Sequence, residues 1–406
     1  MSSPINIITF GCRLNACESD LIKDFAKELG IVDDYTLINT CAVTMEAERK
    51  LCQTLRRLYS ENPNIKIILT GCASELRPDF YIKMDGVVGI ISNKAKLSKA
   101  EYLKYSSNKA VTSSPEHKKV RGFLQIQNGC DQKCTYCVVR LTRGSNVSFS
   151  EDEIVNQARK LIQKGYKELV LTGVNVSSYG RDLTPSKNLS FILRHLLKNV
   201  PEMTRWRLSS LDPADIDDDL IKLIGSEEKL LPHIHESIQS GDDMILKRMI
   251  RRHSRNQLIE TNEKILQARP DVVFGADIIV GFPTETEEMF ENTKKLLEDT
   301  HLSLLHIFPF SGRPGTPAAA MPKVEKKIIT RRAKELRILA DDVLDKKLTE
   351  QIGKSVPVLA EDDVNAKTNS FLDVKSLVPL EIGKEYLFHC ESIDKHILIG
   401  YPVEER

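Results

Sequence analysis

The stretch Ile126-Gln-Asn-Gly-Cys-Asp-Gln-Lys-Cys-Thr-Tyr-Cys137 decides how this chain is read. It sets Cys130, Cys134 and Cys137 at a Cys-x3-Cys-x2-Cys spacing. Three thiolates so spaced hold three irons of a four-iron cluster and leave the fourth iron without a protein ligand, free for a reactant. Zinc is the competing use of such a loop. Structural zinc, however, takes four ligands, commonly as paired Cys-x2-Cys units. No second pair stands nearby, and His117, in a polar segment, is a poor fourth ligand.

Around this loop, strand-like runs at 123–127, 169–172, 205–209, 233–238, 272–280 and 302–308 alternate with helical patterns. Six βα-type repeats in this length predict an incomplete barrel whose active edge lies at the strand C-termini. The cysteine loop follows the first of these strands, which places it at the barrel mouth.

A second set of cysteines recurs upstream. Residues 5–10, 35–40 and 65–70 are short apolar or β-branched runs, followed within a residue or two by Cys12, Cys41 and Cys72. Helical patterns at 20–29 and 45–58 lie between them. Repeated βα units build a parallel sheet with right-handed crossovers, and ligands bind at its carboxyl edge. One cysteine after each strand therefore brings three thiolates to a common point. Cys17, Cys52 and Cys390 fall outside this phase; Cys52 and Cys390 read as small buried apolar residues, and so does Cys17, for which a substitute ligand or a reactive thiol is the alternative.

The nine cysteines, in a large chain without an export signal, argue for metal or redox use rather than a disulfide framework. No run of about 18 apolar residues occurs, so no membrane span and a cytoplasmic location are expected. The net charge of +1 conceals two basic segments, 247–255 and 323–337. Arg251, Arg252, Lys326, Arg331 and Arg332 are the candidate phosphate contacts there. The acidic C-terminal segment offers only local lysines such as Lys367 and Lys375. Residues 106–119 are polar, lack periodicity and read as a linker.

At this point the sequence resembles the radical S-adenosylmethionine superfamily and, over essentially its whole length, its methylthiotransferases. The matching stretches are Gly11-Cys-Arg-Leu-Asn-Ala-Cys-Glu-Ser19, Asn39-Thr-Cys-Ala-Val-Thr44, Thr70-Gly-Cys72, the loop ending at Cys137, Gln239-Ser-Gly241, Asp277-Ile-Ile-Val-Gly-Phe-Pro-Thr-Glu-Thr286 and Phe308-Pro-Phe-Ser-Gly-Arg-Pro-Gly-Thr-Pro317. Arg140 stands where the family pattern leads one to expect a proline; no ligand changes. The resemblance implies an α/β fold in three parts: an N-terminal parallel-sheet α/β cluster domain (1–110), a partial (β/α)6 radical barrel (118–342) and a small C-terminal β-barrel module of the TRAM type (343–406). Short strands are expected in the last around 355–359, 370–374, 385–390 and 396–400.

The resemblance also implies the chemistry. A [4Fe-4S] cluster on Cys130, Cys134 and Cys137 would bind S-adenosyl-L-methionine and cleave it to methionine and a 5'-deoxyadenosyl radical. A second [4Fe-4S] cluster, on Cys12, Cys41 and Cys72, would hold the sulfur to be inserted. Tyr136 would pack near the adenine, and Gln239 and Ser240 would reach the ribose or methionine part of the cofactor. Asn39-Thr-Cys-Ala-Val-Thr-Met-Glu-Ala-Glu-Arg-Lys50 is most similar to the threonylcarbamoyladenosine branch. The implied substrate is N6-threonylcarbamoyladenosine in the tRNA anticodon loop, read as a splayed base. Isopentenylated adenosine in tRNA, an aspartate of a ribosomal protein, or a non-catalytic iron-sulfur sensor that binds RNA are the alternatives. The electron donor and the sulfur source are not identifiable from these residues.

Overall fold

The computed structural model describes residues 5–31, 34–106 and 119–405. The linker expected at 106–119, His117 included, lies outside the described residues except at Ser106 and Lys119. The N-terminal part is a parallel sheet in the order β1 (Asn6–Thr9), β2 (Tyr35–Thr40), β3 (Lys66–Gly71), β4 (Val87–Ile91). Helices α1 (Arg13–Glu28) and α2 (Met45–Glu61) are the crossovers. Strand alternation sends neighbouring side chains to opposite faces. Leu37 and Ile68 meet Ile22 and Ala26 of α1 on one face, while Ile38, Ile67 and Leu69 meet Leu51 and Leu55 of α2 on the other. Three elements were not anticipated. They are β4, short and interrupted by Gly89, and α3 (Cys72–Leu76), a single turn that starts on the cysteine itself and is followed by α4 (Pro78–Tyr81).

The central part opens with β5 (Arg121–Gln125) and the short pair β6 (Gln127–Asn128) and β7 (Val147–Ser148), whose hairpin carries the cysteine loop and α5 (Val139–Arg143). Helix α6 (Glu151–Gln163), started by a capping box between Ser150 and Glu153, leads to β8 (Glu168–Thr172). Then follow α7 (Leu189–Asn199), β9 (Trp206–Leu208), α8 (Asp218–Ser226), β10 (His233–Gln239), α9 (Asp243–Met249), α10 (Arg255–Ala268), β11 (Val273–Val280), α11 (Glu287–Asp299) and β12 (Leu302–Pro309). The parallel sheets β5-β8-β9 and β10-β11-β12 are joined by a bridge between Leu211 and Glu236, giving six strands of an open barrel. The strand runs anticipated at 123–127 through 302–308 each overlap one of these six strands. Every residue of β8 is buried, as expected for a parallel strand covered on both faces.

Helix α12 (Lys326–Thr349) runs across the expected 342/343 boundary, and the β module starts after it. That module is a closed barrel, β13 (Ser355–Ala360), β14 (Asn365–Thr368), β15 (Asp373–Ser376), β17 (Ile397–Glu405) and β16 (Glu385–Asp394) in spatial order. The strand expected at 370–374 is instead mostly the turn between β14 and β15, where Phe371 takes φ 74°. There it does structural work: its ring lies 4.9 Å from that of His233 and beneath the guanidinium groups of Arg207 and Arg121, at 4.6 and 5.0 Å. Basic residues pack on an aromatic face through its quadrupole. The C-terminal module thus seals the strand N-terminal end of the radical barrel, opposite the cysteine loop.

A buried carboxylate holds this seam. Glu168, with none of its side chain exposed, accepts from Arg207 Nε at 2.7 Å and Arg205 Nη2 at 3.2 Å, and is also paired with Arg121. The same arginines reach across to Asn369, Glu385 and Glu361 of the C-terminal module. Burial raises the Glu168 carboxyl, but the charges of Arg207, Arg121 and Arg205 outweigh it and hold the group well below the usual carboxylate range. Its folded value lies below the unfolded one. The stabilisation is therefore present above the unfolded value of about 4.3 and is lost as pH falls below it. Glu168→Gln should cost about 3–5 kcal/mol at pH 7, since it strands buried guanidinium charges. Thermal melts should show the gap to the parent chain narrowing below about pH 4; a gap independent of pH would rule out the ionic account.

Candidate functional site

Both glycine-cysteine turns of the N-terminal sheet leave no room for a side chain. Gly11 has φ +95°, and a Cβ there would lie 2.6 Å from Cys41 Cβ and 2.8 Å from its sulfur. Gly71 has φ +97° and would meet the Thr40 carbonyl at 2.4 Å. These contacts pack the Cys12 turn onto Cys41 and the Cys72 turn onto the end of β2. Cys12 is exposed at the head of α1, whereas Cys41 and Cys72 are buried. Cys41 senses the charges of both Cys12 and Cys72, and burial pushes its thiol up to about 12. The thiol is protonated without metal and must release that proton to become a ligand.

The loop that carries the other three cysteines is closed at its neck. Gln127 donates to the carbonyls of Asn128 and Gly129 at 2.7 and 2.5 Å, and its own oxygen takes the Val174 and Asn175 amides at 3.0 Å each. Thr135 ties the far side to the end of α9, donating to the carbonyls of Met249 and Arg248 at 3.1 and 2.9 Å. Cys130, Cys134 and Cys137 are half-buried, and Cys137 senses both of the others.

Five of the six candidate ligands already accept hydrogen bonds at sulfur. The Val43, Gln132 and Val139 amides donate to Cys41, Cys130 and Cys137 at 3.5, 3.4 and 3.5 Å. Arg143 Nε donates to Cys72 at 3.4 Å and Arg251 Nη1 to Cys134 at 3.6 Å. Donors aimed at sulfur favour thiolates and an electron-rich cluster, so both sets fit that group. A single tetrahedral zinc ion would draw its sulfurs to within about 3.8 Å of one another. Among the described residues, neither triad has its ligand atoms mutually within 4.8 Å. That spread suits a multinuclear cluster.

A cavity of about 280 Å³ lies against the barrel set and reaches the turn that follows Cys41. Cys130, Cys134, Cys137, Tyr136, Gln239, Asp212 and Arg251 line it from the barrel, and Val43 and Thr44, just after Cys41, line it from the N-terminal part. Tyr136 packs on Ile245, Met249, Phe282 and Ala318. Gln239 ends β10 with φ 76°. Ser240 is turned away from the cavity: its hydroxyl lies 3.4 Å from Thr293 Oγ1 and takes the Asp242 amide at 3.2 Å. The two parts are locked across the cavity rim by the Met45 amide on Ser311 Oγ at 3.0 Å and by the Arg313–Glu48 ion pair.

Several expected surface contacts are engaged elsewhere. Arg251, whose side chain is 6% exposed, reaches Ser237 O at 2.8 Å and Asp212 at 3.2 Å, so it belongs to the cavity wall and not to an RNA surface. Arg332 is 3% exposed and bound to Glu285 and Glu287 at 2.8 Å. Arg252 pairs with Asp215, Arg331 with Glu287, and Lys367 with Asp373. Lys326 and Lys375 remain exposed. Cys17 is buried and donates to the Phe123 carbonyl at 3.1 Å, Cys390 is buried, and Cys52 is half-buried in α2. Arg143 and Asp212 were not identified from sequence, and Asp277 stands there only as the first residue of a matching stretch, without a role. Each works through residues distant in the chain, and no local spacing marks them.

Residues 124–297 match the Radical SAM superfamily, and residues 4–92 match the Uncharacterized protein family UPF0004. A Rickettsia prowazekii protein named threonylcarbamoyladenosine tRNA methylthiotransferase MtaB is 45% identical over 390 residues, spanning 93% of this chain and 92% of its own. A Bartonella bacilliformis protein named tRNA-2-methylthio-N(6)-dimethylallyladenosine synthase is 34% identical over 399 residues, spanning 89% and 87%. Among solved structures, the radical S-adenosylmethionine methyltransferase TsrM from Kitasatospora setae aligns with a TM-score of 0.56 at 12% identity, over 78% of this chain and 77% of that one; this is a likeness of fold. No helix among the described residues is long and apolar enough to cross a membrane.

Proposed function

The chain belongs to the tRNA methylthiotransferases of the radical S-adenosylmethionine superfamily, and from that premise we propose that it adds a methylthio group to C2 of N6-threonylcarbamoyladenosine at position 37 of tRNA. The observation that carries this reading is the single cavity walled by Cys130, Cys134 and Cys137 on one side and by the residues after Cys41 on the other. A base splayed into it from the anticodon loop lies between both centres. Cys130, Cys134 and Cys137 hold one [4Fe-4S] cluster and Cys12, Cys41 and Cys72 the other. When bound, the two clusters and S-adenosyl-L-methionine supply reductive cleavage of a sulfonium and a sulfur for transfer.

The chain's own residues position these groups. Arg251 braces Cys134 against Asp212 and the Ser237 carbonyl. Tyr136 and Gln239 offer the cofactor an aromatic edge and an amide on the cavity wall, while Ser240 supports the Gln239 turn through Thr293. Val43, Thr44 and Ser311 complete the cavity lining. The reaction is placed in the cytoplasm, where its tRNA substrate is found. Identity to the threonylcarbamoyladenosine relative, 45% against 34% for the dimethylallyladenosine one, supports the choice of nucleoside. Nucleoside hydrolysates of tRNA from cells lacking this chain should lose 2-methylthio-threonylcarbamoyladenosine and keep 2-methylthio-isopentenyladenosine. Unchanged 2-methylthio-threonylcarbamoyladenosine would reject the assignment.

A further inference from the structure

Three ligating side chains outside the cysteine sets stand on adjacent strands of the radical barrel. They are His235 on β10, Asp277 on β11 and His306 on β12. Asp277 and His306 are register partners, and His235 is the partner of Gly275, two residues before Asp277. Alternation along parallel strands turns all three to one side of the sheet.

We propose that His235, Asp277 and His306 bind a single first-row divalent cation, separate from the cysteine sites. Asp277 Oδ1 lies 3.0 Å from His235 Nε2 and 3.2 Å from His306 Nδ1. Two donors each about 2.1 Å from one ion and at right angles to each other stand about 3.0 Å apart, so both distances fit neighbouring positions on one metal. Among the described residues this is the one trio of histidine, cysteine, aspartate or glutamate whose ligand atoms all lie within 4.8 Å of one another. Two imidazoles and a carboxylate suit iron, zinc, cobalt or manganese rather than calcium or magnesium, and they leave coordination positions open.

The backbone has been cleared for this cluster. Gly275 sits inside a strand, where glycine costs stability and packs nothing. A Cβ there would lie 2.6 Å from His235 Nδ1 and 2.9 Å from the Leu304 carbonyl. Any other residue would push the imidazole away from Asp277. Exposure is graded across the trio, from 7% for the His235 side chain through 25% for Asp277 to 57% for His306. The site is walled behind and open in front. Asp277 is also part of the cavity wall, so the open positions face a space where water or a substrate carboxylate or hydroxyl supplies the remaining oxygen ligands. Arg13 is a cation close enough to sense Asp277, which opposes metal binding. It also senses Glu168, and that carboxylate offsets part of its charge.

The test uses full-length protein with both clusters reconstituted and adventitious iron removed, titrated with Co2+ alone. One equivalent should bind, with the weak visible bands of nitrogen and oxygen ligation and no thiolate charge-transfer band. Asp277→Asn and His306→Ala should each weaken Co2+ binding at least tenfold while iron content stays at the parent value. His306 is mostly exposed, so its variant keeps the test valid if Asp277→Asn fails to fold. No Co2+ uptake by the parent chain, a thiolate band, or full binding by the His306 variant would each overturn the site and leave the trio as a hydrogen-bonded chain.

Discussion

Replacing Arg143 with glutamine should release the N-terminal cluster while leaving the polypeptide folded. Arg143 closes α5, just after the loop that ends at Cys137, yet its contacts lie mostly in the other half of the site. It bonds Glu18 at 2.8 and 2.9 Å, Asn15 at 2.6 Å, Asn128 at 2.9 Å and the Cys72 sulfur at 3.4 Å. Glu18 has a second cation in Lys96 at 2.5 Å, and neither of these two side chains is exposed. Two cations therefore face one carboxylate in a dry environment. The surplus positive charge points at Cys72, where an anionic ligand balances it.

This charge count separates two effects. In the cluster-free protein, Arg143→Gln leaves a neutral Glu18–Lys96 pair, so the loss is of charge-assisted hydrogen bonds, about 1.5–3 kcal/mol for each one the glutamine does not replace. In the loaded protein the same change removes the counter-charge of the cluster and the bridge that fixes the spacing between the two centres. Iron should fall from about eight per chain toward about four in anaerobically reconstituted protein, the remainder held by residues 130–137. A variant that keeps all its iron would show that Arg143 only fastens α5 to the sheet.

Arg143 also marks the limit of what the sequence discloses. Strand β8 is legible because a parallel strand covered on both faces is an almost unbroken apolar run, as in Leu169-Val-Leu-Thr172. The three upstream cysteines are legible because each follows a strand at the same phase. Strand β4 is not, since Val87-Val-Gly-Ile-Ile91 is short and holds a glycine, and its place in the sheet is set by pairing with β3. The charge runs misled for a related reason. Arg251 and Arg332 belong to basic segments, but their partners Asp212 and Glu285 lie 39 and 47 residues away. Sequence proximity shows the cations and hides the carboxylates that neutralise them. The direction of Ser240 is hidden likewise: its neighbour Gln239 takes a left-handed backbone, and the Ser240 hydroxyl lies against Thr293 of α11, which a strand-end motif does not reveal.

The largest effect is expected at the cysteine loop itself, where Cys134→Ala should abolish both S-adenosylmethionine cleavage and nucleoside product. Its sulfur is where the loop meets the cavity's buried charge system. Arg251 donates to it and is held in turn by Asp212, which also binds Gln132 of the same loop at 2.8 Å. Loss of an outer partner such as Arg251 is expected to cost about 10–100-fold, because the ligand remains. Loss of the ligand removes the centre, so 5'-deoxyadenosine should fall below detection. Cys41→Ala should behave differently. Cys41 is packed against Gly11, outside the cavity lining, and Val43 and Thr44, which follow it, line the cavity that the barrel cysteines share. The variant should retain measurable 5'-deoxyadenosine formation and about four irons per chain while making no methylthiolated nucleoside. The contrast carries the argument: equal loss of both products in Cys41→Ala, with the iron of residues 130–137 still present, would mean that the two triads do not divide the reaction between them.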